Sequence, residues 1–133
     1  MIRFSAVGYV LGQFLLVLAA TMFVPLLFTF FGPTGDLRAM ALSIGLTLAA
    51  GLALYSSCRR PATELSLREG LFLVGMVWSC VALFGALPFV FSPHFPTFTD
   101  AMYEAVSGFT TTGSSILPEV EVLPSDLQFW RHF

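Results

Sequence analysis

The sequence predicts an all-α membrane protein, on the basis of its composition and its hydropathy pattern. Apolar residues make up 56% of the chain, charged residues make up only 11%, and the mean hydropathy is +0.84. A soluble domain carries about 25% charged residues. Three long apolar runs contain no charged residue and are separated by short segments that hold half of the charges. These features exclude a soluble globular domain, and also a disordered chain, which would need low hydrophobicity and high charge.

Three membrane-spanning helices are predicted at residues 7–31, 39–58 and 70–91. Each run has about the 20 residues that a helix needs to cross a bilayer, and a helix satisfies its backbone polar groups internally. The first run could instead be a secretory signal, but a signal has a shorter apolar region and a small-residue cleavage site. Pro25 and Pro88 lie in apolar runs and are expected to mark kinks or helix ends.

The arginines predict the orientation of these spans. Arg3 lies at the N-terminus, and the loop at residues 56–69 holds Arg59, Arg60 and Arg68. Because basic segments stay cytoplasmic, the N-terminus and this loop are predicted inside, and the segment that follows the third span is predicted outside. Aromatic residues are expected to anchor the chain at the outer interface: Phe89, Phe91, Phe129 and Trp130.

Enzymatic and nucleic-acid-binding functions are disfavoured. The two histidines lie apart and the two cysteines have no metal-ligand spacing, so a nucleophile with its base cannot be assembled. The net charge of −2 is opposite to the basic surface that a nucleic acid requires. No covalently bound cofactor is predicted.

A half-length helix is predicted at residues 100–108, capped by Thr97 or Thr99 and ended by Gly108. About nine residues rise only about 14 Å, which is half a bilayer. A loop rich in Thr and Gly follows at residues 109–116. Such backbone enters a membrane only where it is buried in protein or lines a watery path. The alternative is an ordinary polar surface loop.

This half-helix and loop have the elements of a cation site. A short helix that enters from outside directs its negative C-terminal end toward the membrane centre. The arm that follows can present carbonyl oxygens in place of the hydration shell of a potassium ion. Glu104 lies in the half-helix, where an ionisable group is expensive. A supporting role, in which the Glu104 carboxylate accepts a hydrogen bond from neighbouring backbone, is favoured over direct contact with the ion.

Residues 99–113, TDAMYEAVSGFTTTG, resemble the first pore loop of the Trk/Ktr/HKT family of potassium transporters, and most closely its bacterial TrkH and TrkG branch. The segments at 86–89 and 127–131 resemble the parts of the same repeat on either side, and the first two spans resemble an additional N-terminal hairpin of that branch. The resemblance therefore implies a two-span hairpin at residues 1–66 and a first pore repeat at 67–133, which ends at the start of its inner helix.

The resemblance also implies a potassium site, because Gly113 stands where the family has its key selectivity glycine. The implied filter consists of Thr110, Thr111, Thr112, Gly113 and Ser114. Within it, the backbone carbonyls of residues 111–113 would bind potassium, the transported ligand. Glu104 and Gly108 would support the filter, whereas Ser115 is expected to matter little.

Four such repeats form the pore in this family, so one loop supplies at most a quarter of a filter. We expect the chain to be part of a longer transporter rather than a self-assembling channel. The resemblance further implies a bacterial inner-membrane location, lipid contacts, a cytoplasmic nucleotide-binding regulatory ring as partner, and a homodimer in some members. The alternative is a non-conducting membrane protein that assembles or regulates a transporter, which would have no need of Gly113.

Overall fold

Three long apolar helices dominate the fold. The computed structural model describes residues 2–32, 34–58 and 64–133. Its first helices are α1 (Phe4–Phe31), α2 (Leu37–Ser57), α3 (Leu67–Gly85) and the one-turn α4 (Leu87–Val90). Among the described residues, three helices are long and apolar enough to cross a membrane, with α3 and α4 taken as one. The predicted all-α membrane class is confirmed.

The two prolines in the apolar runs have different effects. Pro25 lies inside α1, which continues to Phe31, so this proline does not end the helix. Pro88 lies in the first turn of α4, just after the break at the end of α3. The N–H groups of a first turn have no partner within the helix, so proline is tolerated there.

The core of the molecule connects the first two helices to the segments after α3. The helices α1 and α2 pack along each other. One cluster of buried side chains consists of Leu15, Leu18, Met22, Met40, Ile44, Ala86, Phe89, Phe95, Ala101, Ala105, Leu123, Leu127 and Trp130. Large apolar side chains remain exposed on all three spans, including Phe23, Leu46 and Trp78. Lipid tails would cover such surfaces, which soluble monomers rarely expose.

Two of the aromatic residues expected at the outer interface are buried instead. Phe89 is 1% exposed and Trp130 is 5% exposed. The indole Nε1 of Trp130 donates to the carbonyl of Gly85 at 2.9 Å, so its polar group is satisfied within the protein. The expectation was wrong for these two residues because tertiary packing, which the sequence pattern does not report, encloses them.

A half-length helix follows the third span, as the sequence predicts. This helix, α5, runs over Phe98–Phe109 and therefore extends slightly beyond the predicted residues 100–108. Thr97 caps it, with its hydroxyl accepting the N–H of Asp100 at 3.2 Å. A 3₁₀ turn (Val120–Val122) then leads to the last helix, α6 (Ser125–His132).

An ion pair connects the N-terminus to the start of α3. Arg3 donates from Nε and Nη2 to the two carboxylate oxygens of Glu69, each at 2.8 Å. Glu69 is buried and also forms a capping box with Ser66. The pair spans the predicted division at residues 66 and 67, which stays a prediction. Arg59 and Arg60, on which the predicted orientation depends, lie outside the described residues.

Candidate functional site

The predicted filter residues form the segment that leaves the C-terminal end of α5. All five residues, 110–114, are exposed. The helix itself packs against α3, α4 and α6. Its buried face consists of Ala101, Glu104, Ala105 and Ser107. The loop therefore projects from a packed helix while its own surface stays open.

Two residues of this loop have a left-handed backbone conformation. Gly113 has a φ of 71° and Thr111 a φ of 56°. Glycine adopts this conformation without steric cost, whereas a β-branched residue is strained by about 1–3 kcal/mol. Two backbone hydrogen bonds hold the strained turn: Thr111 donates to the Gly108 carbonyl at 3.1 Å, and Thr112 donates to the Ser107 carbonyl at 3.0 Å. Such strain is typical of sites at which the direction of the backbone matters.

Ser107 binds the loop to α5 through both its backbone and its side chain. Besides its bond to Thr112, its carbonyl accepts the N–H of Gly113 at 3.4 Å. Its hydroxyl donates to the carbonyl of Ser114 at 2.5 Å. The hydroxyl of Tyr103, one turn earlier on α5, lies 2.8 Å from the Ser114 hydroxyl. These contacts restrict the loop at several points along its length.

The carbonyl oxygens of the loop differ in their availability. The two flanking residues, Thr110 and Ser114, accept local hydrogen bonds from side-chain hydroxyls. The Gly113 carbonyl receives one long contact from a guanidinium group, at 3.4 Å. In the described part of the chain, no hydrogen bond reaches the carbonyls of Thr111 and Thr112. These two oxygens therefore have hydrogen-bonding capacity that the described residues do not use.

Side-chain metal ligands are not clustered in the described ranges. They contain no group of three or more His, Cys, Asp or Glu residues that could hold a metal ion. The oxygens that the loop presents are backbone carbonyls and threonine hydroxyls, which are the ligand type suited to an alkali cation.

A buried ion pair lies behind the loop. Glu104 on α5 is fully buried, and its carboxylate pairs with Nε of Arg131 on α6. The same carboxylate accepts the Ser115 hydroxyl at 2.9 and 3.1 Å and the Ile116 N–H at 3.2 Å. A buried carboxylate is tolerable only when it is paired and hydrogen-bonded. Glu104 thus connects the segment after residue 114 to both helices, and Ser115 has a structural contact that the sequence did not indicate.

Gly108 lies where α5 and α6 meet. A Cβ atom at this position would lie 2.9 Å from the carbonyl oxygen of Arg131, closer than side-chain carbons approach backbone atoms. The helix ends at Phe109 rather than at Gly108. The glycine therefore permits the contact between the helices and does not end α5, contrary to the expectation from the sequence.

Sequence reasoning identified the loop but missed residues that hold it. The structure brings the predicted filter and both predicted supporting residues into one region, while their roles in ion binding stay predictions. Arg131, Ser107 and Tyr103 were missed. Arg131 had a recognisable signal, because a cation next to an apolar segment predicts a partner such as Glu104. Ser107 and Tyr103 had none, because their hydroxyls are common in polar and apolar surroundings alike.

A match to a protein-family model identifies the family of this chain. A family model described as TrkH, cation transport protein, matches residues 37–133, which is most of the chain. The chain belongs to the TrkH family of cation transport proteins. The resemblance noted from the pore-loop sequence is therefore confirmed.

Characterised TrkH proteins match nearly the whole chain. The Trk system potassium uptake protein TrkH of Salmonella typhimurium is 36% identical over 131 residues, which cover 97% of this chain and 27% of that protein. TrkH of Halomonas elongata is 31% identical over 128 residues, which cover 92% of this chain and 26% of that protein. The chain thus spans about a quarter of the length of these relatives.

A solved TrkH structure has the same fold. The crystal structure of the potassium transporter TrkH from Vibrio parahaemolyticus aligns with a TM-score of 0.91 at 27% sequence identity. The alignment covers 98% of this chain and 28% of that chain. The arrangement of three spans, half-helix and loop is therefore the arrangement of a TrkH-family segment.

Proposed function

We propose that this chain supplies one of the four pore loops of a potassium uptake transporter. The observation that carries the proposal is the loop at residues 110–114, which is exposed, is held from behind by hydrogen bonds and has two available carbonyls, those of Thr111 and Thr112. The relatives named for potassium uptake match 97% of the chain, so the matched region includes this loop.

Potassium binding would use the backbone of Thr111, Thr112 and Gly113. Carbonyl oxygens replace the hydration shell of the ion, and the ring needs an arm from each of four loops. The support from Ser107 and Glu104 fixes where these oxygens lie. Selectivity is a difference between two binding free energies, and about 1.4 kcal/mol changes the ratio tenfold. Small displacements of the carbonyls would therefore have large effects on selectivity.

Neighbouring repeats would complete the pore and cover the open face of α5. That face borders a groove of about 380 Å³, lined by residues that include Met102, Tyr103, Val106 and Thr112. Tyr103 and Val106 are 46% and 38% exposed. An apolar helix face next to a proposed ion path suits contact with another repeat better than contact with water. The proposed division into a hairpin at 1–66 and a pore repeat at 67–133 fits this assembly.

The proposed location is the inner membrane of a bacterium, with the N-terminus in the cytoplasm and the loop open to the outside. The apolar spans and their exposed faces support membrane insertion. The arginine-rich loop at residues 56–69 supports the orientation. Regulation by a cytoplasmic nucleotide-binding ring and formation of a homodimer rest on the family resemblance alone.

Potassium uptake by a chimaera tests the proposal. In the chimaera, this chain replaces the matching segment of Escherichia coli TrkH. The two sequences are 35% identical over 131 residues. In cells that lack other potassium uptake systems, we expect growth at low potassium and preference for potassium over sodium. Gly113→Ser should lower this preference roughly tenfold, because a Cβ at a φ of 71° costs about 1–2 kcal/mol.

Gly75→Ser is the matched control, because a Cβ at either glycine meets nothing within 4 Å and only Gly113 has a positive φ. The preference of Gly75→Ser for potassium over sodium should equal that of the unmodified chimaera. A chimaera that is abundant in the membrane but takes up no potassium would contradict the proposed function. Unchanged preference in Gly113→Ser, at equal membrane abundance, would exclude this loop from the filter and favour a non-conducting assembly or regulatory role.

A further inference from the structure

Asp126 is a buried carboxylate outside the filter. It lies in the first turn of α6, is fully buried, and accepts the N–H of Leu127 at Oδ1, at 2.9 Å. Its Oδ2 accepts two hydrogen bonds from the α1–α2 hairpin, from the Thr29 hydroxyl at 3.0 Å and from the Asp36 N–H at 2.9 Å. A carboxylate without access to water needs such donors, so these contacts are required for Asp126 to remain in place.

The two donors lie on either side of the hairpin turn. Thr29 is in the last turn of α1, and Asp36 is the N-cap residue of α2. A backbone hydrogen bond from Ser125 to the carbonyl of Thr34, at 3.2 Å, joins the same turn to the start of α6. The position at which α6 begins is therefore set by the hairpin as well as by the preceding loop.

The helix α6 connects this junction with the filter. Phe129 stacks on Phe28 of α1, with ring centroids 4.4 Å apart. Arg131 lies five positions after Asp126 on the same helix, which corresponds to a rise of about 7.5 Å along the helix axis. Its guanidinium pairs with Glu104 and lies 3.4 Å from the Gly113 carbonyl. A displacement of the start of α6 would therefore displace the group that contacts the filter.

We infer that Asp126 is a positioning residue for the filter, because it fixes α6 to the α1–α2 hairpin and thereby fixes where Arg131 meets the Gly113 carbonyl. The inference rests on the proposed function for its effect on ion selectivity. The hairpin contributes no residue to the loop at 110–114, yet it influences selectivity through the short helix α6.

Thr29 offers the sharpest test, since valine removes its hydroxyl while nearly preserving its shape. In the chimaera, Thr29→Val should lower potassium-over-sodium discrimination roughly threefold to tenfold. Thr29→Ser keeps the hydroxyl and should stay within about twofold of the unmodified chimaera. Thr21→Val is the matched control in the same helix, because its hydroxyl bonds to the Leu18 carbonyl of α1, at 2.7 Å.

Membrane abundance and thermal unfolding separate positioning from folding. The ratio of the potassium uptake rate to the sodium uptake rate does not depend on how many transporters are folded. A loss of stability alone therefore leaves this ratio unchanged. If Thr29→Val lowers abundance or unfolding temperature while the ratio stays at its original value, Asp126 has a structural role only and the inference is overturned. An equal change of the ratio in Thr21→Val would overturn it as well.

A double-mutant cycle keeps the inference testable if the chimaera takes up no potassium, which would contradict the proposed function. Thr29→Val and Arg131→Gln are then compared, singly and together, by thermal unfolding. We expect the effects of the two substitutions on the unfolding temperature to be non-additive. Loss of the Thr29 hydrogen bond already disturbs the helix that carries Arg131. Additive effects would show that the hairpin and the arginine are independent.

Discussion

Glu104 illustrates how a single buried residue can fix the position of the segment that follows a loop. Its carboxylate is fully buried, yet Ser115, Ile116 and Arg131 all donate to it. Burial of two charges is expensive, and a buried pair is seldom more stable than well-packed apolar residues of the same size. The pair fixes the segment that follows the loop at residues 110–114 relative to two helices, which an apolar contact would do with less directional control.

Breaking this pair should destabilise the protein strongly. Glu104→Gln keeps the size of the side chain but leaves the guanidinium of Arg131 without its counter-charge, at an expected cost of about 3–5 kcal/mol. Arg131→Gln should have a similar cost. The double change should cost less than the sum, because neither charge is then left unpaired. Thermal unfolding of the chimaera measures all three variants, and strictly additive losses would contradict a coupled pair.

At the scale of elements, the contact between α5 and α6 holds the loop in position. The helices meet at Gly108, and the ring of Phe109 packs edge-on against Trp130 with centroids 5.9 Å apart. Ser107 of α5 holds the loop on one side, and Arg131 of α6 contacts it on the other. The strained backbone of the loop is thus held by hydrogen bonds to α5 and contacted from the other side by α6, in keeping with the rule that such strain persists where the surrounding structure fixes it.

Adding a methyl group at this contact should separate the helices. In Gly108→Ala, the new Cβ lies 2.9 Å from a backbone oxygen of α6, so one helix must move; overpacking of this kind costs about 1–3 kcal/mol. Gly75→Ala is the control, because its Cβ meets nothing within 4 Å and alanine favours a helix by about 0.5–1 kcal/mol. The unfolding temperature should therefore fall in Gly108→Ala and should not fall in Gly75→Ala. Equal unfolding temperatures would mean that α5 and α6 tolerate a wider separation.

At the scale of the whole molecule, the α1–α2 hairpin is joined to the helices that follow it at both ends of the spans. The Arg3–Glu69 pair connects the N-terminus to the start of α3. Asp126 connects the α1–α2 turn to α6. If the spans cross a membrane, these two junctions lie on opposite sides of it, and the hairpin is held against α3 and α6 at the two surfaces.

The proposed orientation places the α4–α5 loop outside and the loop before α3 inside. In a chimaera without other cysteines, Pro96→Cys should react with a membrane-impermeant thiol reagent in intact cells, because this residue is exposed and would face the outside in the proposed orientation. Glu64→Cys, exposed on the other side, should react only after the cells are permeabilised. The opposite pattern of labelling would reverse the orientation that the arginines predict.

The sequence alone determined the spans, the half-helix and the loop, because hydropathy and backbone preference act among neighbouring residues. Residues 70–91 indicated a span, and the threonines and glycine at residues 110–113 indicated that the half-helix gives way to a loop, without knowledge of any distant contact. Tertiary structure alone decided how the loop is held. Glu104 and Arg131 lie 27 positions apart, and Thr29 and Asp126 lie 97 positions apart. No local pattern records such pairs, because which polar groups are buried together depends on how the helices pack.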